Sequence, residues 1–282
     1  MKNIPRYFPF RRFAPVMLAI MLAASALPVG AAESWGRQTT RWGRDGTRAC
    51  FTPLDIRGCQ LWLAADRGVV RGGTGLVSQW SDGSSAGNHA TQTSDATKPI
   101  WLETGLNGRP ALRFDGNDDF MKDHGAAAVL SGEDPPFTLM LALAQDASTP
   151  SSVNLIGAAG DSTTNNQWRV FRRVSQSIRY VARVSGVSKD VVCSVDYDTV
   201  AHVVAFVLSG GAGEIFKNGT QVGLGDVDQD LIPLAWFWIG KGYGTSPFWK
   251  GSFGEIILYG ASLTDGERGR VERYLKRKYN IN

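Results

Sequence analysis

From Leu61 to Tyr259 the chain is a succession of short apolar runs, each closed off by Gly, Asn, Asp or Ser. That punctuation sets the fold class. Runs this short bury an apolar face by pairing into sheets and stacking one sheet on another, the pattern of an all-β sandwich. Phe137–Ala144 and His202–Leu208 have no polar face and read as central strands covered on both sides. Trp168–Val174 and Ser177–Val184 alternate between apolar and basic residues, as strands with one solvated face do, and the short connector Ser175-Gln176 makes them a hairpin. In Ile215–Val222 the pair Asn218-Gly219 tolerates positive φ at both central positions of a type I′ turn, so a second hairpin is expected there. Only the C-terminus changes period. Thr264-Asp-Gly-Glu267 is a capping box, and the helix behind it puts Val271, Tyr274 and Leu275 on one stripe for docking.

The N-terminus has a different character. Lys2, Arg6, Arg11 and Arg12 precede an apolar stretch from Phe13 to Val29, and Val29-Gly-Ala31 offers small residues for cleavage. Residues 1–31 therefore read as a secretory signal peptide, and the protein as secreted, periplasmic or displayed at the cell surface. Pro15 and Pro28 cut the apolar run below the roughly 20 residues of a spanning helix, so no stable membrane span is expected after cleavage. Four of the 30 Lys and Arg, and none of the 26 Asp and Glu, lie in residues 1–31, which leaves a mature chain formally neutral. The basic pI thus belongs to the signal, and nucleic acid is not an expected partner.

Residues 32–58 are polar and Gly/Arg-rich, with the small duplication Trp35-Gly-Arg37 and Trp42-Gly-Arg44. They read as an extended arm, either a linker or a handle for a partner. Residues 59–282 form the folded domain, of a size that an all-β sandwich reaches as one unit. In an oxidising compartment Cys50 and Cys59, close in sequence around Pro53 and Gly58, are expected to pair as a disulfide. Cys193, in Val191–Val195, is expected to be a buried small hydrophobe.

Several segments fall in a familiar order: Leu61–Asp66, Gln79–Asp82, Gly87–Gln92, Asn107–Gly116 (Asn-Gly-Arg-Pro-Ala-Leu-Arg-Phe-Asp-Gly), Asp118–Met121, Phe216–Gly219, Gly251–Tyr259 and the helix to Ile281. Their order and spacing resemble the concanavalin A-like lectin/glucanase superfamily, specifically its bacterial and phage laminin G-like modules. The resemblance implies a jelly roll of two antiparallel sheets with one C-terminal helix and a ligand site on the concave face and rim loops. It does not imply activity, because one fold hosts many functions. The glucanase signature Glu-x-Asp-x-x-Glu is absent, since Glu255 is followed by Ile256, Ile257 and Leu258. No catalytic residue is assigned.

Candidate binding residues are mainly aromatic, because sugar rings stack on aromatic faces while polar neighbours take their hydroxyls. Tyr243, Phe248 and Trp249 in the Gly-rich segment Gly240–Lys250, with Trp168, are the candidate ligand contacts; the alternative is that these residues close the core. In Trp236-Phe-Trp238, one of the two tryptophans is expected to turn inward. Calcium is the candidate ion. Asp115, Asn117 and Asp119 offer oxygens at alternate positions, though a tight turn also explains them, and Asp226, Asp228 and Asp230 form a second acidic cluster. His89, His124 and His202 are too scattered to propose zinc. The leading expectation is a secreted, non-catalytic module that binds carbohydrate or an extracellular protein surface through rim loops. A structural protein of an extracellular or virion-like assembly is the alternative, and a polysaccharide lyase or hydrolase comes behind both.

Overall fold

The computed structural model describes residues 50–149, 152–160, 167–172, 177–195, 198–231, 233–244 and 247–282. The expected signal peptide, both Trp-Gly-Arg copies and most of the expected arm lie outside the described residues, as does the connector Ser175-Gln176. Residues Cys50–Asn282 form one compact unit.

In chain order the strands are β1 (Cys59–Ala64), β2 (Val69–Arg71), β3 (Val77–Trp80), β4 (Ala90–Thr91), β5 (Ile100–Leu106), β6 (Arg109–Asp115), β7 (Met121–Asp123), β8 (Gly132–Glu133), β9 (Phe137–Gln145) and β10 (Val153–Ala159). They continue as β11 (Gln167–Arg172), β12 (Ile178–Val184), β13 (Val187–Val192), β14 (His202–Ser209), β15 (Ala212–Lys217), β16 (Thr220–Asp226), β17 (Asp230–Leu231), β18 (Trp236–Ile239) and β19 (Lys250–Tyr259). Helix α1 (Asp265–Lys278) closes the chain.

Two large antiparallel sheets result, the jelly-roll sandwich expected, with β8 and β17 forming a small separate pair. The first runs β16-β15-β14-β9-β19-β6-β5, with β1 also pairing to β19, and the second runs β13-β12-β11-β10-β18-β7-β4-β3-β2. The fully apolar β9 and β14 lie side by side in the middle of the first sheet, as two-sided burial requires. Lys217 and Thr220 face each other across Asn218-Gly219, whose φ values of 51° and 92° give the type I′ hairpin. The core between the sheets includes Leu139, Leu141, Phe206 and Ile256 from the first and Trp80, Ile156, Phe237 and Ile239 from the second. Cys193 is buried among them.

A second apolar cluster lies on the outer side of the first sheet, where Met140, Ala142, Val203, Ala205 and Ile257 meet Val271, Leu275 and Tyr279 of the helix and its C-terminal cap. The Thr264 hydroxyl oxygen accepts from the Glu267 N–H, and the Glu267 carboxylate accepts from the Thr264 N–H at 3.0 Å, completing the capping box. β19 shifts register between Phe253 and Glu255, where its ladder with β6 ends and its pairing with β1 begins. That irregularity brings Glu255 under the end of the helix. It is fully buried, accepts from Trp62 Nε1 at 2.6 Å and pairs with Lys278 Nζ at 2.7 Å, and the Tyr279 hydroxyl donates to it at 3.2 Å.

The expected disulfide is not formed: Cys50, Cys59 and Cys193 are all free thiols. The Phe51 ring packs edge-on against Tyr274 of the helix at 6.0 Å with Arg270 over its face, which draws the preceding Cys50 toward the helix and leaves it exposed. The Cys59 thiol instead donates within its own strand to Leu61 O, and burial, with Asp82 adding to it, pushes it up to about 12. Pro53 and Ile56 are buried and the Tyr259 hydroxyl donates to Pro53 O, so residues 50–58 are packed on the domain.

Candidate ligand-binding face

Among the described residues no helix covers the outer side of the second sheet, and β18 contributes a pair of tryptophans to it. Side chains of a strand alternate, so residues two apart share a face. Phe237 and Ile239 enter the core, and both Trp236 and Trp238 therefore point outward; the expectation that one turns inward is corrected by the same period of two. Their rings stack at 6.4 Å with an interplanar angle of 16°. β7 and the residue after it add the neighbours: Lys122 is the cross-strand partner of Trp238, and the His124 ring lies 3.8 Å from that of Trp236.

The Gly-rich segment after β18 folds back over β10. A side chain at Gly157 would lie within 2.7 Å of the Gly242 Cα, and one at Gly242 within 2.6 Å of Asn154, so only bare backbone fits at this crossing. The segment places Tyr243 6.2 Å from Trp238, and Phe248 beside Phe120 at 6.5 Å. Lys241 lies among them, its ammonium 4.5 Å from the Phe120 ring, 5.5 Å from Phe248 and 5.9 Å from Trp238. The Lys122 ammonium is 5.0 Å from the Trp236 ring. The result is a half-exposed row of rings with two cations, suited to stacking a flat, polar ligand.

Of the four aromatic candidates, Tyr243 and Phe248 border this face and two do not. Trp249 is fully buried against Phe253, and Trp168 is fully buried between Phe137 and Tyr180. Both belong to the core: Trp168 shares the inward parity of Val170, and Trp249 donates its backbone N–H to Gly240 O, which turns its ring under the loop. Lys122, His124 and Lys241 were missed by sequence reasoning. The alternation of Trp236 and Trp238 with Phe237 and Ile239 was the available signal for the face.

The acidic candidates divide likewise. Asp115 Oδ1 accepts from the N–H groups of Asn117 and Asp118, its Oδ2 accepts from Asn117 Nδ2, and Asp119 Oδ2 accepts from the Asp115 N–H. This is a self-satisfied turn between β6 and β7. Asp115, Asp118 and Asp119 bring carboxylate oxygens within 4.8 Å of one another, so Asp118 joins two of the expected residues. The hydrogen bonds of Asp115 hold its carboxyl below the usual range, whereas burial, with the charges of Asp115 and Asp118, pushes Asp119 up to about 7. As arranged, the oxygens serve the backbone of the turn, and a calcium ion would have to compete with those bonds. Asp226, Asp228 and Asp230 are not gathered into such a set. Asp228 adopts a φ of 40° and pairs with Lys189, on the edge strand of the other sheet.

A second concavity of about 340 Å³ lies on the outer side of the first sheet, lined by Asn107, Arg113, Gln145, Asp146, Thr199 and Ser252 among others. Arg113 and Asp146 pair with each other there. No helix among the described residues is long and apolar enough to cross a membrane.

The family model of the concanavalin A-like lectin/glucanases superfamily matches residues 115–267. The chain belongs to this superfamily. No curated protein matches it. Among solved structures, the concanavalin A-like domain is similar to the sialidase of Trypanosoma rangeli (TM-score 0.58, 14% identity), over 85% of this chain and 35% of that one. It is similar to the binding domain of botulinum neurotoxin serotype G (TM-score 0.57, 13% identity), over 77% of this chain and 51% of that one. It is also similar to domain 4 of an extracellular arabinanase from Geobacillus stearothermophilus, solved with arabinotriose (TM-score 0.54, 14% identity), over 74% of this chain and 95% of that domain. The chain thus spans about a third of the sialidase length. At these identities the likeness concerns the fold.

Proposed function

We propose that the domain is a non-catalytic recognition module that binds carbohydrate on the outer face of its second sheet. The observation that carries this reading is the stacked pair Trp236 and Trp238, flanked by His124 and Tyr243 on a sheet face with no helix over it among the described residues. Aromatic rings held in this way match the apolar faces of successive sugar units, and the polar groups around them can take hydroxyls. The arabinotriose complex of the similarly sized arabinanase domain supports the reading as an analogy of fold. Glu255, the carboxylate nearest to a glucanase position, is enclosed by Trp62, Lys278 and Tyr279 and offers no open acid or base to a substrate. The basic residues before the apolar stretch Phe13–Val29 support a secreted, periplasmic or surface location, where such glycans are met.

The test is a broad glycan array followed by titration calorimetry. Binding that Trp236→Ala or Trp238→Ala reduces at least about tenfold, while Trp62→Phe leaves it unchanged, is the expected result. A folded protein that binds no glycan would overturn the reading and turn attention to a protein partner.

A further inference from the structure

Single cations rest on rings elsewhere in the domain, Arg67 over Trp62 and Arg71 over Trp101, but at Lys122 and Lys241 two such cations meet on one row of rings. Arg113 pairs with Asp146, Arg179 with Asp190, Lys189 with Asp228, Arg268 with Asp265, and Lys278 with Glu255 and Asp66. Even the polar concavity on the first sheet neutralises its own cation. Among the described residues the side chains of Lys122 and Lys241 have no carboxylate or hydrogen-bond partner, and their contacts are with the rings of Trp236, Phe120, Phe248 and Trp238. Both are half-buried. Burial lowers the Lys241 pKa, the Lys122 charge lowers it further, and no carboxylate offsets either effect.

Two cations held near each other on one aromatic face, without counter-charge, are a complement waiting for an anion. We propose that this face selects saccharides bearing an acid group, a carboxylate or a sulfate, and that Lys122 and Lys241 are the residues that select it. The inference rests on the recognition reading and adds the ligand class to it. An acid group placed between the two ammonium ions would gain from both, while its sugar ring stacked on Trp236 or Trp238. Part of its water would already be displaced by the surrounding rings, which strengthens the attraction. A purely structural role for the lysines, as cations resting on rings, makes a different forecast: their replacement would alter stability and leave the choice between charged and neutral sugars unchanged.

The experiment compares matched probes with the full chain by titration calorimetry at low and moderate salt. One pair is trigalacturonate and its methyl ester, and the other is a sulfated galactan tetrasaccharide and its desulfated form, so the two arms separate carboxylate from sulfate. The expected result is a preference of about tenfold or more for at least one charged probe, weakening as salt rises. Lys122→Gln and Lys241→Gln should each reduce that preference and together abolish it. Because Lys241 touches three rings, its variant is checked by thermal unfolding, and Lys122→Gln, whose lysine rests on one ring, carries the test if Lys241→Gln fails to fold. Equal binding of charged and neutral partners, both lost in Trp238→Ala, would overturn the acid selection and leave carbohydrate recognition standing. A charged-probe preference that survives in Lys122→Gln and in the double variant would overturn the residue assignment. Absence of binding to every probe, charged or neutral, would count against recognition itself and against acid selection with it.

Discussion

The two outer faces of the sandwich make opposite use of the same strand alternation. On the first sheet the outward side chains of β9, β14 and β19 are apolar, so this face must be covered, and helix α1 covers it. Its polar groups are closed into pairs, with Glu255 held by Trp62, Lys278 and Tyr279. On the second sheet the outward side chains at β7 and β18 include two tryptophans and a lysine, joined by His124 and Lys241 from the adjoining segments, and among the described residues no helix packs there. One face spends its apolar surface on stability, and the other leaves rings and cations half-exposed. The contrast teaches that the site lies where burial is incomplete and charge is unmatched, because a folded domain otherwise removes both.

The hardest test of the sealed face is Glu255→Ala. It leaves the Lys278 ammonium and the Trp62 indole N–H without their buried acceptor, and breaking a buried pair in this way costs about 3–5 kcal/mol. Urea unfolding should show the midpoint falling accordingly with ligand binding intact. A loss below about 1 kcal/mol would mean that the helix seals the sheet by apolar contact alone.

A similar magnitude separates the tryptophans. Trp249→Ala removes a fully buried indole and should cost about 3–5 kcal/mol. Trp238→Ala, on the half-exposed face, should cost about 1–2 kcal/mol, with the main loss appearing in binding. Calorimetry and urea titration of the two variants side by side would break the comparison if Trp249→Ala lost binding at unchanged stability. A smaller effect is expected at the entry of the sealing helix, where Thr264→Ala removes the acceptor for the Glu267 N–H and should cost about 1 kcal/mol by thermal unfolding.

How much of this was legible in sequence follows from the range of the forces involved. The hairpin at Asn218-Gly219, the central strands β9 and β14 and the capping box at Thr264 are written in a few consecutive residues, and each formed as read. The face of an isolated aromatic depends on parity and on what covers it. The parity of Trp236 and Trp238 was available from Phe237 and Ile239, but the burial of Trp249 depends on a loop folding back, which no local pattern encodes. Lys122 and His124 join the site only because β18 pairs with β7, two strands far apart in the chain. The Cys50–Cys59 pairing failed for a related reason: Phe51 is drawn to the helix, whose position is set by the whole first sheet.

The turn from β6 to β7 carries the chain from the sealed sheet to the open one, and Asp119 makes that crossing sensitive to pH. The residue is 7% exposed, and burial followed by the neighbouring Asp115 and Asp118 charges raises its carboxyl to about 7, from an ordinary value of 3.8. The folded state therefore holds a proton that the unfolded chain has released. The corresponding stability is fully present below about pH 4 and is lost as pH rises through 7, beyond which the folded state carries an ionised Asp119. Asp115, Asp198 and Glu267, whose values are lowered, act in the opposite sense and lose their contributions as pH falls, so the total profile alone does not report on the turn. The difference between Asp119→Asn and the unaltered protein does. Asparagine keeps an acceptor for the Asp115 N–H without the charge, so the variant should gain relative stability steadily from about pH 4 to 7 and hold a constant advantage above it. Urea midpoints at four or five pH values would measure that difference. A flat difference would place the Asp119 titration in the ordinary carboxylate range, and the turn would then join the two faces without coupling either of them to pH.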